Sequence, residues 1–272
     1  MCTVTWLFEK DGYQLFCNRD ELNTRKPALP PTILTQDGVR FIAPEDGDHG
    51  GSWIAANEYG LSLCLLNRYS IETKTSSSFV SRGLLIKGLA DCRSIAEVLE
   101  RIEKTSLAPY RPFAILLLEP GAKAIAIEWT GRQAWTELTG PRSLPLTSSS
   151  YDTTAVNRSR RVAFYRLAHN ANQLDSSTLY RFHSGHSPAR GPHSVCMHRS
   201  AARTVSFSWV KFRGGLLEFS YFGDSPCLAT EGNFLTTTLR TRQLVALRGK
   251  DLDSQPLSAG GFPGLNAMMQ GL

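Results

Sequence analysis

Cys2 stands directly behind the initiator methionine, and a small side chain at that position suits methionine removal. With Met1 gone, one residue carries both a thiol and a free α-amine. Unperturbed, the amine titrates at about 7.7–8.0 and the thiol at about 8.5, so near neutral pH the amine can take the thiol proton directly or through water. Such a residue is a nucleophile with its own general base. The segment Asn18-Arg19-Asp20-Glu21 supplies matching charges. A cation near the thiol favours thiolate, and a carboxylate near the amine orients and charges it. Arg19 and Asp20 are therefore the candidates for positioning Cys2, whose thiol is expected to titrate low beside Arg19 and the ammonium.

These residues must be brought together by an element, and a hairpin does it. The β-rich runs Cys2 to Glu9 and Tyr13 to Asp20 flank Lys10-Asp11-Gly12. A turn centred on Asp11-Gly12 pairs Val4 with Arg19, Thr3 with Asp20 and Cys2 with Glu21. Alternation then sets Arg19 diagonal to Cys2 on one face and Asp20 on the other, near the new amine. A slip of one residue would exchange the faces.

Further along, Val39 to Ala43 reads as a strand, and Ser52 to Ala56 with Leu61 to Leu66 as a second hairpin around Asn57-Glu58-Tyr59-Gly60. Helical spacing follows over Ser81 to Ala90 and Ser94 to Lys104, with Ser94 as N-cap and Glu97 in the capping-box position. Phe113 to Leu118, Ala122 to Trp129 and Arg132 to Leu138 return to strand. Ala155 to His169 and Ser176 to His183 read as helices, and Val195 to Arg199, Thr204 to Phe212 and Leu216 to Phe222 as late strands. Sheet, helices, sheet, helices, sheet is an α+β order with local β-pairing. The main domain is placed at 1–225, and 226–272, which loses periodicity, as a C-terminal extension packing on it or trailing from it.

Composition is that of a folded protein, 42% hydrophobic and 20% charged. The net charge of +6 is scattered. Its densest group, Arg158, Arg160 and Arg161, reads as a solvated helix face and not a nucleic-acid footprint. The run Cys2 to Phe8, closed by Glu9, Lys10 and Asp11, is too short and too acidic for a signal peptide, and no window reaches membrane-spanning length. Six cysteines lack any paired short spacing. They point to a reduced, cytoplasmic protein in which Cys17, Cys64 and Cys92 are buried thiols. The segment holding His183, His186, His193, Cys196 and His198 invites a metal. It lacks the helical His/Glu pattern of zinc hydrolases, and Pro188 and Pro192 break it, so no metal site is expected there. His49 reads as a pocket residue or a solvated loop residue, Trp53 as core or ligand stack, and Arg68 with Tyr69 as a seat for an acidic substrate group or a rim salt bridge.

Met1-Cys2-Thr3, Asn18-Arg19-Asp20-Glu21, Gly50-Gly51-Ser52-Trp53 with Asn57, Leu66-Asn67-Arg68 and Ser81-Arg82-Gly83 with Leu85 together resemble the NRDE family, which includes the Transport and Golgi organisation 2 group. The resemblance is close to about Ala90 and looser to about Ser208. It implies an N-terminal nucleophile hydrolase-like, four-layer αββα sandwich of two antiparallel sheets. The opening hairpin is also similar to that of the bile-salt hydrolase and penicillin V acylase group. There an arginine and an aspartate hold the cysteine, and an asparagine in a Gly-Leu-Asn context helps form the oxyanion hole. Arg19, Asp20 and Asn67 match these by motif. The arginine and aspartate are adjacent here instead of spaced, and a second asparagine of that group falls in Thr147-Ser148-Ser149-Ser150, where either serine substitutes or the function is absent. The resemblance implies a cysteine amidohydrolase or acyl transferase for a small or acyl-bearing substrate, with no cofactor. The alternative it carries is a non-catalytic carrier of haem or a lipid-like ligand in the same cavity, against Cys2, Trp53 and Asn67.

Overall fold

Residues 2–69, 79–121, 124–140, 143–170 and 174–242 are described in the computed structural model of the chain. Strand β1 (Cys2–Glu9) turns at Lys10-Asp11 into β2 (Gly12–Leu22). Gly12 opens β2 instead of completing the turn, paired with Glu9 and Arg213, and only glycine fits there, since a Cβ would lie 1.8 Å from the Phe212 carbonyl oxygen. Cys2 therefore faces Arg19, Thr3 faces Asn18 and Val4 faces Cys17. This corrects the expected pairing by two positions. An even shift leaves every side chain on its anticipated face.

The chain continues through β3 (Leu29–Gln36), β4 (Val39–Glu45), β5 (Ile54–Asn57), β6 (Ser62–Asn67), α1 (Arg82–Leu89), α2 (Ile95–Lys104), β7 (Phe113–Leu118), β8 (Ala124–Trp129) and β9 (Ala134–Thr139). It then forms β10 (Leu146–Thr147), α3 (Thr153–Asn170), α4 (Ser176–Ser184), β11 (Ala202–Arg213), β12 (Leu216–Phe222) and β13 (Leu235–Arg240). One six-stranded sheet has the order β10-β1-β2-β11-β12-β13, and a seven-stranded sheet runs β3 to β9 in sequence. All neighbours are antiparallel.

Between the sheets lie Val4, Trp6, Leu15, Cys17, Cys64, Leu66 and Leu116. Tyr13 ties them, its hydroxyl 2.8 Å from the Gly60 carbonyl oxygen and 2.7 Å from Ser62 Oγ. Leu85, Ile86, Leu89, Ile95, Val98 and Ile102 of α1 and α2 cover the outer face of the second sheet. Phe164, Leu179 and Phe182 of α3 and α4 cover the first. The result is the four-layer αββα sandwich. Ser94 caps α2 by accepting from Glu97 N at 3.2 Å, while the Glu97 carboxylate reaches Arg93 N instead of Ser94 N.

Strand β3 is absent from the sequence reading, and it carries Pro30 and Pro31. They are tolerated at a sheet edge, where the register breaks between Leu29 and Thr32. Val195 to Arg199 is irregular apart from a bridge between His198 and Arg203. The first compact unit runs to Arg242, and within it β13 pairs with β12 at the edge of the first sheet. Met1 and residues 243–272 lie outside the described residues.

Candidate active site

Cys2, Arg19, Trp53, Asn67, Arg82 and Arg111 line a cleft of about 390 Å³, with His49 at its exposed mouth. Alternation along the first hairpin turns Cys2, Val4, Cys17 and Arg19 toward the other sheet, so the cleft forms where the sandwich opens at the start of β1. Arg68 and Tyr69 do not reach it. They line an adjoining cavity of about 300 Å³ that shares Asn67 as its wall. There Arg68 is clamped on Glu128, its Nε donating to Oε2 at 2.8 Å, so of its two readings the structure has the rim salt bridge. The Tyr69 hydroxyl accepts from Asn67 Nδ2 at 2.8 Å.

The Cys2 backbone is fixed on both sides. Its nitrogen donates to Ser148 Oγ at 3.1 Å and its carbonyl accepts from Ser148 N at 2.9 Å. Ser148 opens the serine run Ser148-Ser149-Ser150. The Cys2 side chain is 5% exposed and heads a row of thiols, Cys17 next and then Cys64, with Cys17 and Cys64 sulfurs 3.6 Å apart. Hydrogen bonding with Cys17 and burial push the Cys2 thiol well above its ordinary value, against the lowering effect of the N-terminal charge. With Met1 attached the direction is upward, opposite to the lowering expected beside Arg19 and a free Cys2 ammonium. Burial likewise raises Cys92 to about 12.

Arg19 faces Cys2, but its charge is engaged elsewhere. Its Nη2 donates to Asp46 Oδ2 at 2.5 Å, Glu21 is 3.8 Å away, and the guanidinium stacks 4.3 Å over Trp53. Burial tends to raise Asp46. Arg19, Arg25 and the N–H groups of His49 and Asp48 outweigh it and hold the carboxyl below its ordinary value. The buried Trp53 Nε1 has no hydrogen-bond partner among the described residues.

Asp20 lies on the opposite face, away from the thiol. It is fully buried, takes Arg160 Nη2 at 3.0 Å and accepts from Thr204 Oγ1 at 2.7 Å. Arg160 is 1% exposed, so it corrects the reading of its cluster as a solvated face; Arg158 and Arg161 are exposed. The signal for it was its helical spacing from Val156 and Phe164, both buried. Its Nη1 donates to Thr3 Oγ1 at 2.6 Å and to Thr147 Oγ1 at 3.2 Å, next to the Ser148 contacts of Cys2. Asn18 shares this face. It donates to the carbonyls of His183 and Val195, while its Oδ1 accepts from His183 Nδ1 at 2.9 Å.

The cleft wall comes from two motifs that meet backbone to backbone. Ser52 N donates to the Gly83 carbonyl at 3.0 Å, and a Cβ on Gly51 would fall 2.5 Å from the Gly83 carbonyl carbon. This seats Arg82 on the cleft, which Arg111 from the approach to β7 also lines; neither has a role in the sequence reading. Arg82 Nη1 donates to the Pro112 carbonyl at 2.8 Å, and Arg111 stacks 4.8 Å over Phe79. Among the described residues neither pairs with a carboxylate, and burial lowers the Arg82 guanidinium below its ordinary value.

A profile of the Transport and Golgi organisation 2 family matches residues 1–181. The chain belongs to that family. Comparison with curated proteins finds no match. Among solved structures, this Transport and Golgi organisation 2 family chain is similar to the Caenorhabditis elegans orthologue of N-acylethanolamine-hydrolyzing acid amidase, at 12% identity and TM-score 0.55, covering 89% of this chain and 100% of that one. It is also similar to an arginine-to-leucine variant of conjugated bile acid hydrolase from Clostridium perfringens, at 13% identity and TM-score 0.53, covering 89% and 97%. A cysteine-to-alanine mutant of the same hydrolase gives 14% identity and TM-score 0.51, covering 88% and 92%. At these identities the likeness shows the fold, that of the N-terminal nucleophile hydrolases.

Proposed function

We propose that the chain is an N-terminal cysteine hydrolase or acyl transferase acting on the carbon–nitrogen amide bond of a small, acyl-bearing substrate with an anionic end. The observation that carries this reading is the Cys2 nitrogen and thiol held side by side in an arginine-lined cleft, the nitrogen 3.1 Å from Ser148 Oγ. With Met1 removed, that nitrogen is an amine. It takes the thiol proton as sulfur attacks the carbonyl, and returns it to the departing amine as the carbon–nitrogen bond breaks. Water or an acceptor amine then cleaves the thioester. Asn67 Nδ2 and backbone N–H groups are the candidate donors to the oxyanion. Arg19 and Asp20 act as positioning residues, Asp20 through Arg160 and the threonines. Arg82 and Arg111 offer guanidinium charge to the substrate's carboxylate or other anion.

A second reading, a carrier of haem or a lipid-like ligand in the same cleft, draws on the burial of Cys2, whose raised thiol offers little thiolate for attack. Turnover separates the two. Untagged protein is assayed with N-acyl amino acids and with matched neutral N-acyl amines. The hydrolase reading expects release of free amine, faster from the anionic set and abolished by Cys2→Ala. Ligand binding without release, in protein that keeps Met1, favours the carrier.

A further inference from the structure

Four metal-ligating side chains converge on the helical side of the first sheet, and none of them lines the cleft. His186 follows the end of α4, Cys196 and His198 lie in the irregular segment before β11, and Cys227 sits in a short 3-10 turn over Pro226–Leu228. His198 Nε2 is 3.2 Å from His186 Nε2, 3.5 Å from Cys196 Sγ and 3.6 Å from Cys227 Sγ. All four ligand atoms lie within 4.8 Å of one another. Zinc bonds of about 2.3 Å to sulfur and 2.0–2.1 Å to nitrogen, set tetrahedrally, require edges of about 3.3 Å between nitrogens and about 3.6 Å between nitrogen and sulfur. The three separations measured from His198 Nε2 match those edges before any ion is placed, and the remaining pairs lie within 4.8 Å.

We propose that His186, Cys196, His198 and Cys227 form a structural zinc site. Two imidazoles and two thiols are the donor set that zinc takes in closed, four-protein-ligand sites, and two thiolates neutralise the ion. No fifth position is left for water or substrate, so the site's work is mechanical. It joins the end of α4, the approach to β11 and the turn at Cys227, pieces already stitched by Cys196 N donating to the Gly185 carbonyl at 3.1 Å and by the Tyr180 hydroxyl donating to the Pro226 carbonyl at 3.2 Å. The exposed Arg190, 3.4 Å from His198 Nδ1, turns away on loading, because a ring bound through Nε2 keeps its proton on Nδ1. The sequence reading set a metal aside since His183 and His186 lack a zinc-hydrolase pattern. It had no means of adding Cys227, which is remote along the chain, or of removing His183, which is turned to Thr5 and Asn18.

The test uses the full chain purified without chelator. Metal analysis with native mass spectrometry should give one zinc per chain, and titration of the unvaried protein with a mercurial should release it as two thiols react. Cobalt(II) exchanged into the site should show the intense visible bands of a tetrahedral ion with thiolate charge transfer. Cys196→Ser and Cys227→Ser should each lose zinc and those bands, whereas Cys92→Ser keeps both. A chain that binds neither zinc nor cobalt, zinc bound equally by the Cys196→Ser and Cys227→Ser variants, iron or copper in place of zinc, or a Cys196–Cys227 disulfide in protein handled without oxygen overturns the proposal.

Discussion

Arg19 meets Cys2 across the hairpin, yet Asp46 holds its guanidinium at 2.5 Å. The thiol therefore gains little from Arg19 and is held above its ordinary value, while the N-terminal charge is what lowers it. Two outcomes follow from that arrangement. Asp46→Asn should free Arg19 and speed iodoacetamide labelling of Cys2 several-fold at pH 7, read by peptide mapping. Protein processed to Cys2 should label faster than protein carrying an N-terminal extension, both rates rising with pH below the thiol's pKa because only thiolate reacts. Unchanged labelling in Asp46→Asn would mean that Arg19 is too far from the sulfur to matter. For Asn67 the expectation is kinetic. Loss of one oxyanion donor costs on the order of 100- to 1,000-fold in turnover, so Asn67→Ala should lower kcat by about that factor with KM little changed. An effect confined to KM would make Asn67 a binding residue.

The strand that bears Asn18-Arg19-Asp20-Glu21 serves two layers at once. Arg19 turns to the cleft, while Asn18 and Asp20 turn to α3 and α4. Its reading from the sequence succeeded for the face of each residue, since alternation depends only on parity and the register moved by an even number. It failed for Asp20's partner, because Arg160 comes from a helix far along the chain and no local rule places a buried arginine there. The cleft wall was legible only as motifs. That Gly50-Gly51-Ser52-Trp53 abuts Ser81-Arg82-Gly83 is a contact between backbones, which side-chain patterns do not encode. Removing one partner of a buried ion pair leaves the other uncompensated, so Arg160→Met should destabilise by about 3–5 kcal/mol in urea unfolding. A loss near zero would show that Asp20 is satisfied without it. Gly51→Ala forces backbone apart and should cost about 1–3 kcal/mol.

Across the molecule, the layer order was readable because hairpins and amphipathic helices are local, whereas the edge strands β3 and β13 escaped for want of alternation or because of proline. No helix among the described residues is long and apolar enough to cross a membrane. Acid sensitivity belongs to this scale, through the layer that joins α4 to the first sheet. Burial and then Arg160 hold His183 down to about 3, and its neutral ring accepts from Thr5 Oγ1 at 2.8 Å while donating to Asn18. Its folded value lies below the unfolded one of about 6.5, so its contribution is complete above that pH and is lost as pH falls toward about 3. Between pH 7 and 5 the loss is about 2 kcal/mol, which His183→Gln should remove from the pH dependence of Tm. The nucleophile itself is tested most directly by mapping the N-terminal peptide of untagged protein after exposure to an acylating β-lactone. The expected peptide begins at Cys2 and carries one acyl group on its sulfur. A peptide that keeps Met1, or acylation on another cysteine while Cys2 stays free, would contradict an N-terminal cysteine nucleophile.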